Sequence, residues 1–133
     1  MIYGIGHDIV QNRRISNLLS KFGDRFARKI LSPEELLFIR QKPDPTLFLA
    51  KRFAAKEAFG KACGTGIRYP ILLTEITIVN DSLGKPEFRF GVSVEKWLLE
   101  HKIKRCHLSI SDETNLSSAF VILETNTLDS IYS

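Results

Sequence analysis

Arg52-Phe53-Ala54-Ala55-Lys56-Glu57-Ala58-Phe59-Gly60-Lys61-Ala62-Cys63-Gly64-Thr65-Gly66 is the stretch whose reading decides the fold. On a helix, at about 100° per residue, Ala54, Ala55, Ala58, Phe59 and Ala62 gather on one side. Phe53, Glu57, Gly60 and Gly64 gather on the other, flanked by Lys56 and Lys61. The first side is a core stripe of mostly small residues, so the helix packs close to its neighbours. The second has one acid, two glycines and a phenylalanine where a solvated surface would carry Lys, Glu and Gln. A glycine inside a helix costs roughly 1 kcal/mol relative to alanine. Gly60 therefore has a reason: close approach of another backbone, or of a ligand.

Upstream, Pro45 at the first turn and Asp44 as cap start this long helix, and Lys42-Pro43-Asp44-Pro45 is a stiff link into it. Before the link, Ser32-Pro33-Glu34-Glu35 is a helix start with Ser32 as cap and Glu35 closing a capping box, the helix running to about Gln41. Residues 12–30 read as helical and basic, broken near Gly23. Residues 2–10 alternate as a strand. Tyr3, Ile5 and Ile9 point one way; Gly4, Gly6 and Asp8 point the other, which puts the acid on a face cleared of bulk.

Downstream, Gly64-Thr65-Gly66 ends the helix. Thr74–Val79 and Glu87–Phe90 are the strands of a hairpin around Asp81-Ser82-Leu83-Gly84-Lys85-Pro86. Residues 92–101 form an amphipathic helix on Val94, Trp97 and Leu98. Strand 104–111 has Cys106, Leu108 and Ile110 on one face and His107, Ser109 and Ser111 on the other. Glu113-Thr114-Asn115 turns the chain into a last strand, 117–124. Helices first and antiparallel strands later predict an α+β fold. The chain of 133 residues is long enough for one domain with a real core, here 1–124, followed by a polar tail at 125–133.

Composition narrows the function. Residues 1–70 hold 13 Lys/Arg against 6 Asp/Glu, a balance of +7, and residues 71–133 hold 6 against 9, a balance of −3. Within 13–29, Arg13, Arg14, Lys21, Arg25, Arg28 and Lys29 face only Asp24. Such a surface is either a solvated face or a dock for an acidic partner: nucleic acid, a phosphorylated small molecule or an acidic protein. Aromatics interleaved with basic residues, the usual RNA stacking platform, are missing, so a basic RNA-binding module is the second choice. A nucleotide-binding domain without turnover is the third. No apolar run approaches the roughly 20 residues of a membrane span. The N-terminus lacks a basic n-region and carries Asp8 early, which predicts no signal peptide and a cytoplasmic protein. Cys63 and Cys106 are too few for a disulfide framework and read as reduced, buried thiols.

Three groups can carry chemistry. Asp8 and Glu57, if their faces meet, offer two oxygen ligands with open positions, which suits Mg²⁺. The alternative has Asp8 capping a helix and Glu57 pairing with Lys61 at i+4. Lys56, Lys61 and the Gly64-Thr65-Gly66 turn can cradle an anion; the alternative is a plain glycine cap. The P-loop order is absent. His107, Ser109 and Ser111, followed by Asp112, line a strand end, without a nucleophile elbow. His7, His101 and His107 with two distant cysteines do not make a zinc spacing.

Three stretches together resemble one family, the small bacterial holo-acyl-carrier-protein synthases within the 4′-phosphopantetheinyl transferases. They are Gly4-Ile5-Gly6-His7-Asp8-Ile9-Val10; Arg52 to Ala58 with Lys61 and Gly64-Thr65-Gly66; and His107-Leu108-Ser109-Ile110-Ser111-Asp112. Gly84-Lys85-Pro86 matches a recurrent turn. The resemblance implies transfer of 4′-phosphopantetheine from coenzyme A to a serine of apo-acyl carrier protein, releasing adenosine 3′,5′-bisphosphate, in support of fatty acid biosynthesis. It implies Mg²⁺ held by Asp8 and Glu57, and Lys61 on the pyrophosphate. Arg52, Lys56, the 64–66 turn and Lys85 would hold the nucleotide end, with Phe53 and Ser109 among the coenzyme contacts. Many relatives carry a histidine where this chain has Asp112; the general base stays open between Asp112, Glu57 and water. His7 reads as structural. Arg14, Lys21, Arg25 and Arg28 become candidate docking residues for the acidic carrier protein. The resemblance also implies a homotrimer with active sites shared between neighbouring subunits, in which Gly60 and Gly64 serve both ligand and interface.

Overall fold

The computed structural model describes residues 1–126; of the predicted tail 125–133, Thr125 instead belongs to the last strand and residues from 127 onward lie outside the described residues. The elements are β1 (Ile2–Gln11), α1 (Asn12–Phe22), α2 (Asp24–Ile30), α3 (Pro33–Ile39), α4 (Pro45–Cys63), β2 (Ile76–Asn80), β3 (Pro86–Phe90), α5 (Val92–Glu100), β4 (Ile103–Asp112) and β5 (Leu116–Thr125). β1, β5 and β4 form an antiparallel sheet in that order, and β2 and β3 form a separate hairpin. This is the expected α+β architecture, an antiparallel sheet on a long packed helix. Among the described residues no helix is long and apolar enough to cross a membrane.

The helix starts follow local chemistry. The Ser32 hydroxyl accepts from the Glu35 amide and the Glu35 carboxylate accepts from the Ser32 amide, a complete capping box. Asp44 accepts from the Leu47 amide ahead of Pro45, and α4 ends on Gly64 in the left-handed region at φ 81°. Gly23, at φ 58°, separates α1 from α2.

α4 lies in the middle of the molecule. On one side it rests on β1, where a side chain at Gly4 or Gly6 would overlap the backbone carbonyl oxygens of Ala62 and Ala58. Val10, Ala119, Val121 and Leu123 complete that sheet face. On the other side the hairpin covers it: the Phe59 ring sits 5.2 Å from Phe88 and 4.9 Å from Phe90. α4 is thus buried nearly all round, as helices without a polar face are. The side of Phe53, Glu57 and Gly60, read as unlike a solvated surface, is half-buried to buried. Gly60 is covered by the chain's own Gly66 and Ile67, so backbone approach explains it, and neither a ligand nor a subunit interface is needed. The glycines of β1 clear space for α4 rather than for a ligand.

The other face of the three-stranded sheet is open. Ile5 and Ile9 are each 57% exposed and Phe120 41% exposed, in line with the polar His107, Ser109 and Ser111. Cys63 and Cys106 are free thiols. Burial pushes the Cys63 thiol up to about 12, with Cys106 adding to it, and burial pushes Cys106 up to about 11. Neither offers a thiolate near neutrality.

Candidate active site

The predicted acid pair comes together. Asp8 points from β1 toward α4, on the same side as Gly4 and Gly6. Its Oδ1 accepts from the Lys61 ammonium at 3.0 Å, and the same ammonium donates to the His7 carbonyl at 3.0 Å. Glu57 is near enough to feel Asp8. Burial first, and then the Asp8 charge, raise the Glu57 carboxyl above its ordinary range; Lys61 and Arg14 pull it back. Asp8 therefore does not cap a helix: the residue before α1 is Gln11, with no side-chain cap.

Two carboxylates that repel each other, with an ammonium already drawn to one of them, suit a hard cation. Two oxygen ligands leave most of a shell for water and phosphate oxygens, the arrangement Mg²⁺ favours. No group of three or more metal-ligating side chains exists among the described residues, so a cation here would share its shell with a ligand.

Arg14 carries a signal the sequence reading missed. Placed among docking residues only, it is close enough to Glu57 to act on its charge. The cause is local: α1 begins at Asn12, directly after β1, so its first turn stays beside the strand that holds Asp8. The exposed Arg14, Lys21, Arg25 and Arg28 follow along α1 and α2. Leu18, Phe22 and Phe26 line an apolar groove there, edged by Arg25 and Lys29.

Other predicted site residues lie elsewhere. Lys56 is fully buried, and its ammonium donates to Glu35 Oε1 at 2.5 Å, the Ile30 carbonyl at 2.7 Å and the Leu73 carbonyl at 3.0 Å. All three of its protons have acceptors inside the protein, so it is corrected from nucleotide contact to interior cation. Arg52 stacks on the Phe48 ring at 3.7 Å and lies 3.3 Å from Glu35 Oε2 through Nε, with a further hydrogen bond to the Ile78 carbonyl at 3.4 Å. The Nε contact is ionic without hydrogen-bond alignment. Arg52 too faces inward, and Phe53 packs against the core. In the 64–66 turn, the Gly64 amide donates to the Lys61 carbonyl and the Gly66 amide to the Gly60 carbonyl, which removes two donors from the expected anion cradle.

Asp112 pairs with Lys51 at 3.9 Å. It lies two strands across the sheet from β1, on the order of 10 Å from Asp8's strand. The structure does not bring it to Asp8 and Glu57 within one chain. Lys85 and His107 border a groove of about 650 Å³ between β3, α5 and β4. Asp8, Glu57 and Lys61 are not part of it. Ser109 is exposed on the outer face of the sheet, and His107 there contacts Glu124.

Comparison with known proteins matches this arrangement to one family. Residues 4–121 match the family described as the 4′-phosphopantetheinyl transferase superfamily. The holo-acyl-carrier-protein synthase of Nitrosospira multiformis is 54% identical over 124 residues, covering 93% of this chain and 99% of that protein. The crystal structure of the holo-acyl-carrier-protein synthase of Neisseria meningitidis superposes with a TM-score of 0.92 at 55% identity, over 94% of this chain and 100% of that one. The Bacillus anthracis enzyme, crystallised in complex with CoA (3′,5′-ADP), superposes with a TM-score of 0.80 at 36% identity, over 95% of this chain and 99% of that one. With the family matched over nearly the whole described fold, the chain belongs to the 4′-phosphopantetheinyl transferase superfamily.

Proposed function

We propose that this protein is a holo-acyl-carrier-protein synthase, transferring 4′-phosphopantetheine from coenzyme A to a serine of apo-acyl carrier protein and releasing adenosine 3′,5′-bisphosphate. The observation that carries the reading is the convergence of Asp8, Glu57 and Lys61 beside the basic face of α1. The family assignment replaces the RNA-binding alternative.

The chemistry asks for charge control. A serine oxygen must approach a diphosphate, and negative charge grows on the bridging oxygen as adenosine 3′,5′-bisphosphate leaves. Asp8 and Glu57 would hold Mg²⁺, which when bound supplies positive charge to the diphosphate oxygens. Lys61, 53% exposed at its side chain, can turn from Asp8 to a phosphate oxygen. Arg14, Lys21, Arg25 and Arg28 would steer the acidic carrier protein to the same end of the molecule, and the Leu18, Phe22 and Phe26 groove would receive its apolar side chains.

The open apolar face of the sheet supports the expected homotrimer. Ile5, Ile9 and Phe120 are the exposed apolar side chains of that face that a neighbouring subunit would cover. Lys85, His107 and Ser109 lie away from Asp8 and Glu57 in one chain, which fits a site completed by a neighbouring subunit.

The experiment is a mass-shift assay with apo-acyl carrier protein, coenzyme A and Mg²⁺. The carrier should gain the mass of one phosphopantetheine. Glu57→Gln should keep the fold by circular dichroism and lose transfer by about 100-fold or more. A carrier unchanged by the wild type, across several carriers, would overturn the reading; undiminished transfer by Glu57→Gln would overturn the metal assignment.

A further inference from the structure

The buried charge cluster around Lys56 ties several elements together. Its ammonium meets acceptors on three elements: the last residue of α2 (Ile30), α3 (Glu35) and the turn before β2 (Leu73). Glu35 Oε2 also accepts from the Ile78 amide on β2 at 3.0 Å, so the cluster reaches the hairpin as well. Buried ion pairs are poor stabilisers compared with apolar residues of the same volume. Their distinctive property is direction.

Direction is what the β1 side of α4 lacks. Its contacts with β1 run through Ala58 and Ala62 against Gly6 and Gly4, small residues that allow close approach but interlock weakly. That smooth seam resists roll about the helix axis poorly, so the hold comes from the far side, where Phe59 packs on Phe88 and Phe90 and Lys56 adds hydrogen bonds of fixed direction. Glu57 is the next residue after Lys56, turned by about 100° from it. With a helix radius of about 5–6 Å including side chains, a roll of ~10° moves the Glu57 carboxylate by about 1 Å. A misplacement of about 1 Å is enough to cost a reaction ~100-fold.

We propose that Lys56 is a positioning residue: held by Glu35 and two carbonyls, it fixes the roll of α4 and so the spacing between Glu57 and Asp8. It touches no substrate. The inference rests on the functional reading above, because it concerns the same carboxylate pair.

The test uses the full-length double variant Glu35→Gln/Lys56→Met, which removes the Lys56–Glu35 pair, leaves Arg52 its Phe48 ring and Ile78 carbonyl, and keeps an acceptor for the Ile78 amide. In the transfer assay, the half-saturating Mg²⁺ concentration should rise about 10-fold while the KM for carrier protein stays within about two-fold. Mn²⁺ binding to the same variant, followed by water-proton relaxation without carrier or coenzyme A, should weaken about 10-fold. A merely structural cluster would lower the amount of folded enzyme and leave both metal constants where they are; that result would overturn the inference. Lys56→Arg keeps the charge but not the three-acceptor geometry, and is read on the same two constants should the double variant not fold. Loss of transfer by the wild type would strike the functional reading, whereas equal Mn²⁺ affinity in wild type and variant would strike this one.

Discussion

Lys56 and Lys61 lie five positions apart on α4, each against a carboxylate, in opposite surroundings. Lys56 is fully buried with Glu35, and burial pulls its ammonium down to about 8 against the attraction of that partner. Lys61 is half exposed, holds Asp8 at 3.0 Å and keeps freedom to let go. The difference teaches that an ion pair's role follows its solvation. A buried pair is held by the cost of breaking it; an exposed pair is cheap to exchange and suits a site that must admit a ligand.

The largest expected effect separates the two pairs directly. Lys56→Met alone should lower unfolding free energy by about 3 kcal/mol, because the Ile30 and Leu73 carbonyls lose their buried donor and Glu35 keeps only Arg52 as counter-charge. Lys61→Met should change it by less than about 1 kcal/mol. Urea unfolding of both variants checks this, and equal losses would break the comparison.

A smaller effect is expected at the basic face. Reversing charge at Arg14 and Arg25 should raise the KM for carrier protein by roughly 10-fold and flatten its dependence on salt. Arg14 should also affect the metal dependence, since it acts on Glu57, whereas Arg25 should not. Steady-state kinetics across a salt series sharpens where docking ends and chemistry begins.

The smallest effect concerns Glu57 in the metal-free protein. Its carboxyl is raised, so the folded state keeps a proton that the unfolded chain has already released. Stability therefore falls as pH rises through the window just above the ordinary glutamate range. Glu57→Gln should lack that fall, with a Tm higher than wild type by about 1 °C near neutrality and equal to it below the window. Calorimetry at several pH values reads the sign; a lower Tm for the variant near neutrality would mean that Lys61 and Arg14 outweigh burial and Asp8.

What the sequence revealed was mostly short-range. The Ser32–Glu35 box, the Asp44-Pro45 start and the Gly64 stop depend on neighbours within a few residues, and all three form as read. The meeting of Asp8 and Glu57 was also legible, through the resemblance and the glycines before Asp8, although those glycines make room for a helix. Lys56 was misread because its partner is 21 positions away and already had a local task in the capping box. The second side of α4 was legible as unsolvated, and at Gly60 the first of its two expected reasons holds: the backbone of Gly66 covers it. On the first side, the cover of Phe59 is Phe88 and Phe90, from a hairpin that sequence proximity does not connect to it.

Gly4 and Gly6 carry one further consequence. Because strand and helix meet there as bare main chain on bare main chain, the thickness of that seam gauges the gap between two acids 49 positions apart in sequence. Any methyl group set into the seam acts as a wedge two or four residues from Asp8, prising the first acid from the second while leaving every charged group in the protein in place.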